Sequence, residues 1–170
     1  MNDQELRALQ APLKDRYRTD PESAKKTLRV RGALDVDQIA VRIETGRGAM
    51  TEAGLHPMAG GDPRFACSAD MLLESLIGCA GVTLCAVATA MSIPIASGTI
   101  AAEGDVDFRG TLGISKEIPV GFLAIRIQIE LQTTADDAQL QKLATLTERY
   151  CVVAQSLSEA ARPTVTIRRV

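Results

Sequence analysis

Four cysteines, Cys67, Cys79, Cys85 and Cys151, are the residues of this chain best suited to chemistry. A thiol attacks only as its thiolate, so each must be judged by what its surroundings do to its ionisation. Cys79 lies in the middle of the longest apolar run, Ser68 to Pro94 (SADMLLESLIGCAGVTLCAVATAMSIP), between Gly78 and Ala80 with Gly81 next. Small neighbours leave room for a substrate or a second sulfur. Buried cysteine is also an ordinary packing residue, so position alone leaves both roles open. Cys85 is six positions further on, about 120° around a helix from Cys79, so the two share no face. Between Leu84 and Ala86 it reads as core. Cys67 falls at a loop-to-helix junction and is expected to be partly exposed. Cys151 interrupts two helical patterns. A thiol at a helix start feels the positive end of the dipole, which favours thiolate, whereas the plain alternative is a small buried residue beside Val152 and Val153.

Other chemistries find less support. No CxxC pair occurs and the single His56 is distant in sequence, so neither a zinc site nor a metal cofactor is expected. A net charge of -2, scattered basic residues and 3% aromatics argue against nucleic acid and anionic membrane surfaces as partners. The start, MNDQELRALQ, lacks a basic n-region and apolar h-region, which makes a cytoplasmic location the expectation. There, cysteines are reduced, metal-bound or redox-active rather than structural disulfides. Met71 to Pro94 is long enough to span a membrane, yet Glu74, Ser75, Thr83, Thr89, Ser92 and two glycines dilute it and no basic cluster flanks it. The reading is a soluble helix buried on all sides.

The elements that must position these thiols follow from periodicity. Residues 1–26 form an N-terminal helical segment: Leu6, Leu9, Leu13 and Tyr17 recur at helical spacing, Pro12 is expected to break the helix, and Asp20-Pro21 starts a short second one. Residues 27–170 form the main domain. Leu28, Val30, Leu34 and Val36, then Ile39, Val41 and Ile43, alternate as strands, and Ala49 to Leu55 suggests a third. His56 to Arg64 is a Gly/Pro-rich loop. Ser68 is the expected N-cap of the apolar helix and Pro94 marks its end. Gly78 and Gly81 cost about 1 kcal/mol each relative to Ala, which suggests close approach of another backbone, that of another helix or of its own copy in a dimer. Strands follow at Gly98 to Phe108, with Gly104 a possible bulge, and at Phe122 to Gln132. Thr134 caps a helix running toward Arg149, and Thr164 to Val170 closes as a strand. Clustered strands indicate an α+β fold with mostly antiparallel sheets.

The order of elements, the LLESLIGCAGVTLCAVA helix and the later ERYCVVAQSL segment together resemble the OsmC/Ohr family, the osmotically inducible and organic hydroperoxide resistance proteins. The resemblance covers roughly Thr27 to Val170. It implies an OsmC-like intertwined homodimer, with sheets wrapped around long buried central helices and sites at the interface. It implies that Cys79 is a peroxidatic thiolate that becomes a sulfenic acid, resolved by Cys151 as a disulfide. The implied substrate is a small organic hydroperoxide, the reductant an external dithiol or lipoyl-type reductant, and no bound cofactor is needed. An arginine should hold the thiolate, with Arg47 and Arg64 as candidates. Ser68-Ala69-Asp70 replaces the family's usual Pro-Glu pair, so Asp70 takes the acidic role with Glu74 as competitor. Val152 follows Cys151 where a proline is usual. These departures place the chain in a divergent branch. The alternative is a non-catalytic member of the fold that binds a small apolar ligand or serves in stress response.

Overall fold

The fold is described from a computed structural model in which residues 1–46 and 48–170 are placed. The chain runs α1 (Asp3–Thr19), β1 (Arg31–Asp35), β2 (Ala40–Glu44), β3 (Met50–Gly54), β4 (Ala66–Cys67), α2 (Ser68–Ala90), β5 (Ile95–Asp105), α3 (Phe108–Thr111), β6 (Ala124–Thr133), α4 (Asp137–Tyr150), α5 (Val152–Ser156) and β7 (Thr164–Arg169), with short 3-10 turns between. It is an α+β molecule with two sheets and one long central helix.

The first sheet has the order β1-β2-β3-β4, the second β5-β6-β7. Hairpin neighbours pair antiparallel, whereas β3–β4 and β6–β7 are parallel. The core lies between the second sheet and the helices. Ile125, Ile127, Ile129 and Leu131 alternate inward from β6, and Leu140 and Leu143 from α4 meet Leu76, Ala80, Leu84 and Ala88 from α2. The strict period of two on β6 and the four-residue repeat on α2 each bury one face.

Several expectations are corrected. α2 is not buried on all sides: its fully buried residues form the single stripe Leu76, Ala80, Leu84 and Ala88, and the opposite face, with Val82 72% exposed, is open. Cys85 lies on that open face rather than in the core. Within one chain nothing lies within 4 Å of where a Cβ would stand at Gly78 or Gly81, so the backbone they would admit is not this chain's own. Pro12 sits inside α1, which nonetheless runs as one helix from Asp3 to Thr19. Cys67, not Ser68, occupies the N-cap of α2. The α4 cap is Asp136, not Thr134, because Asp136 and Gln139 form a reciprocal capping box. The register shift in β5 falls at Ile95/Ser97; Gly104 stays in register with Ile125 and makes room for the Phe122 ring.

α2 is the one helix among the described residues long and apolar enough to cross a membrane. Its packing against β5, α4 and α5 makes it the core helix of a soluble fold.

Candidate active site

Cys79 projects from the flank of α2 that meets α4 and α5. The α4 helix ends at Tyr150, where the N–H of Cys151 donates to the Thr147 carbonyl at 3.0 Å and closes the last turn. Cys151 then takes extended backbone (φ -75°, ψ 107°) and serves as N-cap of α5, its Sγ accepting from Ala154 N–H at 3.5 Å. One residue therefore stops one helix and starts the next, which turns the N–H groups of Val152 and Val153 toward α2.

The result is a two-thiol centre. Both thiols are unbonded, Cys151 only 1% exposed and Cys79 partly so. Burial by itself pushes the Cys79 thiol up. The Val153 N–H, the Cys151 thiol, the Val152 N–H and the Thr83 hydroxyl face its sulfur, outweigh burial and hold it below the ordinary cysteine value. Cys151 goes the other way. Burial raises it, and the neighbouring Cys79 charge, to which its proton is directed, raises it further against the opposing Ala154 and Val153 amides. Two like groups side by side are thus driven apart in acidity, Cys79 downward and Cys151 upward.

The other expected site residues stand elsewhere. Asp70 is exposed in the first turn of α2, about 13 Å along the axis from Cys79 and about 180° around it. Glu74 is also exposed and about 140° around from Cys79. Arg64 forms an ion pair with Asp62 at 2.5 Å and lies over the Phe65 ring at 5.8 Å. Arg47 lies outside the described residues. His56 is structural: its Nδ1 accepts from Met58 N–H at 3.0 Å and its ring stacks on Phe108 at 4.9 Å. Among the described residues no three His, Cys, Asp or Glu side chains cluster so as to hold a metal ion. Sequence reasoning missed Thr83 and the two amides. Thr83 was signalled by its place four residues after Cys79, one turn along the same flank.

Comparison with known proteins follows the same lines. The model of the family described as OsmC-like protein matches residues 61–167, well over half of the chain. No curated protein matches. Among solved structures, an OsmC-like protein from Mycoplasma pneumoniae is similar with a TM-score of 0.69 at 14% identity, covering 86% of this chain and 99% of its own. An organic hydroperoxide resistance protein from Elizabethkingia anophelis has a TM-score of 0.68 at 11% identity, covering 86% and 99%. The organic hydroperoxide resistance protein OhrB of Bacillus subtilis has a TM-score of 0.57 at 16% identity, covering 84% and 98%. At these identities the likeness is one of fold.

Proposed function

Because this chain belongs to the OsmC-like protein family, whose fold it shares with organic hydroperoxide resistance proteins, we propose that it is a thiol-dependent peroxidase acting on small organic hydroperoxides. The observation that carries the reading is the contact between a Cys79 of lowered pKa and a Cys151 of raised pKa.

The steps balance with these two residues and one external reductant. The Cys79 thiolate attacks the outer oxygen of ROOH. An S–O bond forms, the O–O bond breaks, and the alkoxide leaves and takes a proton as ROH, while the sulfur becomes a sulfenic acid. Cys151 then attacks the sulfenic sulfur. The S–S bond forms, and the departing hydroxide takes the Cys151 proton and leaves as water. An external dithiol reduces the disulfide and is itself oxidised, returning both thiols. Once Cys79 is a sulfenic acid, the charge that raises Cys151 is gone, so the resolving thiol ionises more readily to the thiolate that attacks.

Cys79→Ser should abolish dithiol-dependent turnover of an alkyl hydroperoxide, whereas Cys85→Ser should not; undiminished turnover in Cys79→Ser would sink the assignment.

The site is proposed to work in a homodimer in the cytoplasm. Support comes from the open glycine face of α2 and from the exposed Leu28, Leu34 and Val36 around the first sheet, at 87%, 79% and 80%. A second reading, binding of a small apolar ligand without catalysis, is favoured by an apolar groove of about 620 Å³ on the other flank of α2, lined by Leu84, Ala88, Ile95, Ile100, Ile129 and Leu131. One equivalent of hydroperoxide separates the two: mass analysis shows a Cys79–Cys151 disulfide under the first and unmodified thiols under the second.

A further inference from the structure

The first helix is only half seated on its own chain. α1 carries Leu6, Leu9, Leu13 and Tyr17 along one side, yet none of its 17 residues is buried. Asp3, Leu6 and Gln10 are partly covered, and the rest of the helix is exposed, Leu13 at 46% and Tyr17 at 40%. Its first turns rest against α2, with Asn2 and Asp3 at the rim of the apolar groove beside Cys85, Thr89 and Ser92. Beyond Gln10 the helix stands clear. A helix of this length with a proline inside is marginal in water by itself, so its uncovered half needs a surface to lie on.

Charge narrows the choice of surface. Lys14 and Arg16 flank the Leu13–Tyr17 stripe, about 80° to either side of it. Residues 1–31 hold eight of the 19 Lys and Arg but five of the 21 Asp and Glu, so this segment is net +3 and the remainder -5. The open face of α2 offers the complement at its N-terminal end, where Asp70 and Glu74 are exposed and lead at four-residue steps to Gly78 and Val82. Among the described residues, none of Lys14, Arg16, Asp70 and Glu74 has an ion-pair partner in its own chain. The two carboxylates lie roughly 17 and 22 Å along α2 from Cys85, where this chain's own α1 is seated. A basic amphipathic helix also suits an anionic membrane, but here it would bring an acidic body to that surface.

We propose that α1 is a clasp between two copies of this chain. Its second half, Leu13 and Tyr17 between Lys14 and Arg16, docks on the Asp70–Glu74 end of α2 in the second copy, the two α2 helices running antiparallel across their open faces. Twofold symmetry makes the contact reciprocal, so each copy gives one clasp and receives one. The clasp rests on the homodimer reading and assigns residues 1–26 a task within it.

Sedimentation of the full chain over a concentration series gives the dimer dissociation constant, with circular dichroism checking the fold of each variant. The pair Lys14→Glu and Arg16→Glu should raise that constant roughly tenfold, and Glu74→Lys alone should raise it in the same direction. All three together should recover most of the loss, because opposite charges face each other again. Local fraying of α1 would not be rescued by a change on α2. A triple variant as weak as the two losses combined overturns the clasp. Should a charge variant fail to fold, Leu13→Ser with Tyr17→Ser removes only exposed side chains and should also weaken the dimer; an unchanged constant there overturns the clasp. Phosphatidylglycerol vesicles that pull down the wild-type chain but not the Lys14/Arg16 variant, with dimerisation untouched, would give α1 to a membrane instead. A wild-type chain that stays monomeric refutes the homodimer reading and the clasp with it, whereas a dimer indifferent to every α1 variant refutes the clasp alone.

Discussion

A thiol packed into an apolar helix should be a poor acid, and Cys79 escapes that outcome because donors converge on its sulfur, chiefly from the α4–α5 junction. The sign of the pH dependence follows. A group whose pKa is lowered is charged over a wider range, so Cys79 alkylation should reach its plateau at lower pH than that of an ordinary cysteine. A free cysteine analogue in the same buffer provides the comparison. If peptide mapping gave Cys79 the higher midpoint of the two, the site would have been misjudged. Thr147, one turn before Cys151, poses a different question. It is fully buried and its hydroxyl is without a hydrogen-bond partner. An unsatisfied buried hydroxyl is costly, so Thr147→Val should raise stability by about 1 kcal/mol in denaturant unfolding. A loss of that size would mean that the hydroxyl has a partner after all. Part of this was legible in the residues. Cys151 falls where one helical pattern stops and another begins, a break visible in ERYCVVAQSL, and that position fixes its role as cap. The pairing with Cys79 came from resemblance, because contact between residues 72 positions apart leaves no local pattern. Asp70 and Glu74 were attractive as carboxylates but point to other sides of α2, which a count of residues per turn already implies.

The elements bear out period-based reading where one face is buried by the chain itself. β6 alternates buried and exposed residues as its sequence alternates Ile and polar residues, and α4 buries Leu140, Leu143 and Ala144 along one stripe. Boundaries were set by side-chain chemistry that competes over a few residues. Thr133, Thr134 and Asp136 all could cap α4. Thr133 Oγ1 donates to the Pro94 carbonyl at 2.5 Å and accepts from Ala135 N–H at 3.1 Å, and Asp136 wins the cap with a 2.7 Å bond to Gln139 N–H. Because α4 delivers Cys151 to the site, this cap matters beyond its own turn. Asp136→Ala should cost about 1 kcal/mol of unfolding free energy, and Asp136→Asn much less. Equal losses from Ala and Asn would show that the negative charge, rather than the hydrogen bond, carries the cap. The failed reading at this scale was α2. Composition told that it is apolar all round, but not whether its second face is covered by this chain or by something else.

That second face decides how the whole molecule is completed. Val82 stands 72% exposed at its centre, Gly78 and Gly81 leave the backbone beside it uncovered, and Cys85 adds to an apolar strip along a helix of 23 residues. Around the first sheet Leu28, Leu34, Val36 and Ile39 are likewise mostly exposed, while the second sheet and the helices hold nearly the whole core. Exposed apolar residues scattered singly need no explanation, but this many on one helix face and beside one sheet do. A second copy related by a twofold axis would cover them with the same residues, and the mid-helix glycines would then allow the closest approach. The chain should therefore sediment at twice its 18.1 kDa at micromolar concentration. Val82→Glu would place a charge in that contact, where an unpaired buried charge is strongly disfavoured, so it should shift the population to monomer and lower the melting temperature. A wild-type chain that sediments as a stable monomer with both surfaces open would refute the assembly, and would leave the glycines of α2 without a structural reason.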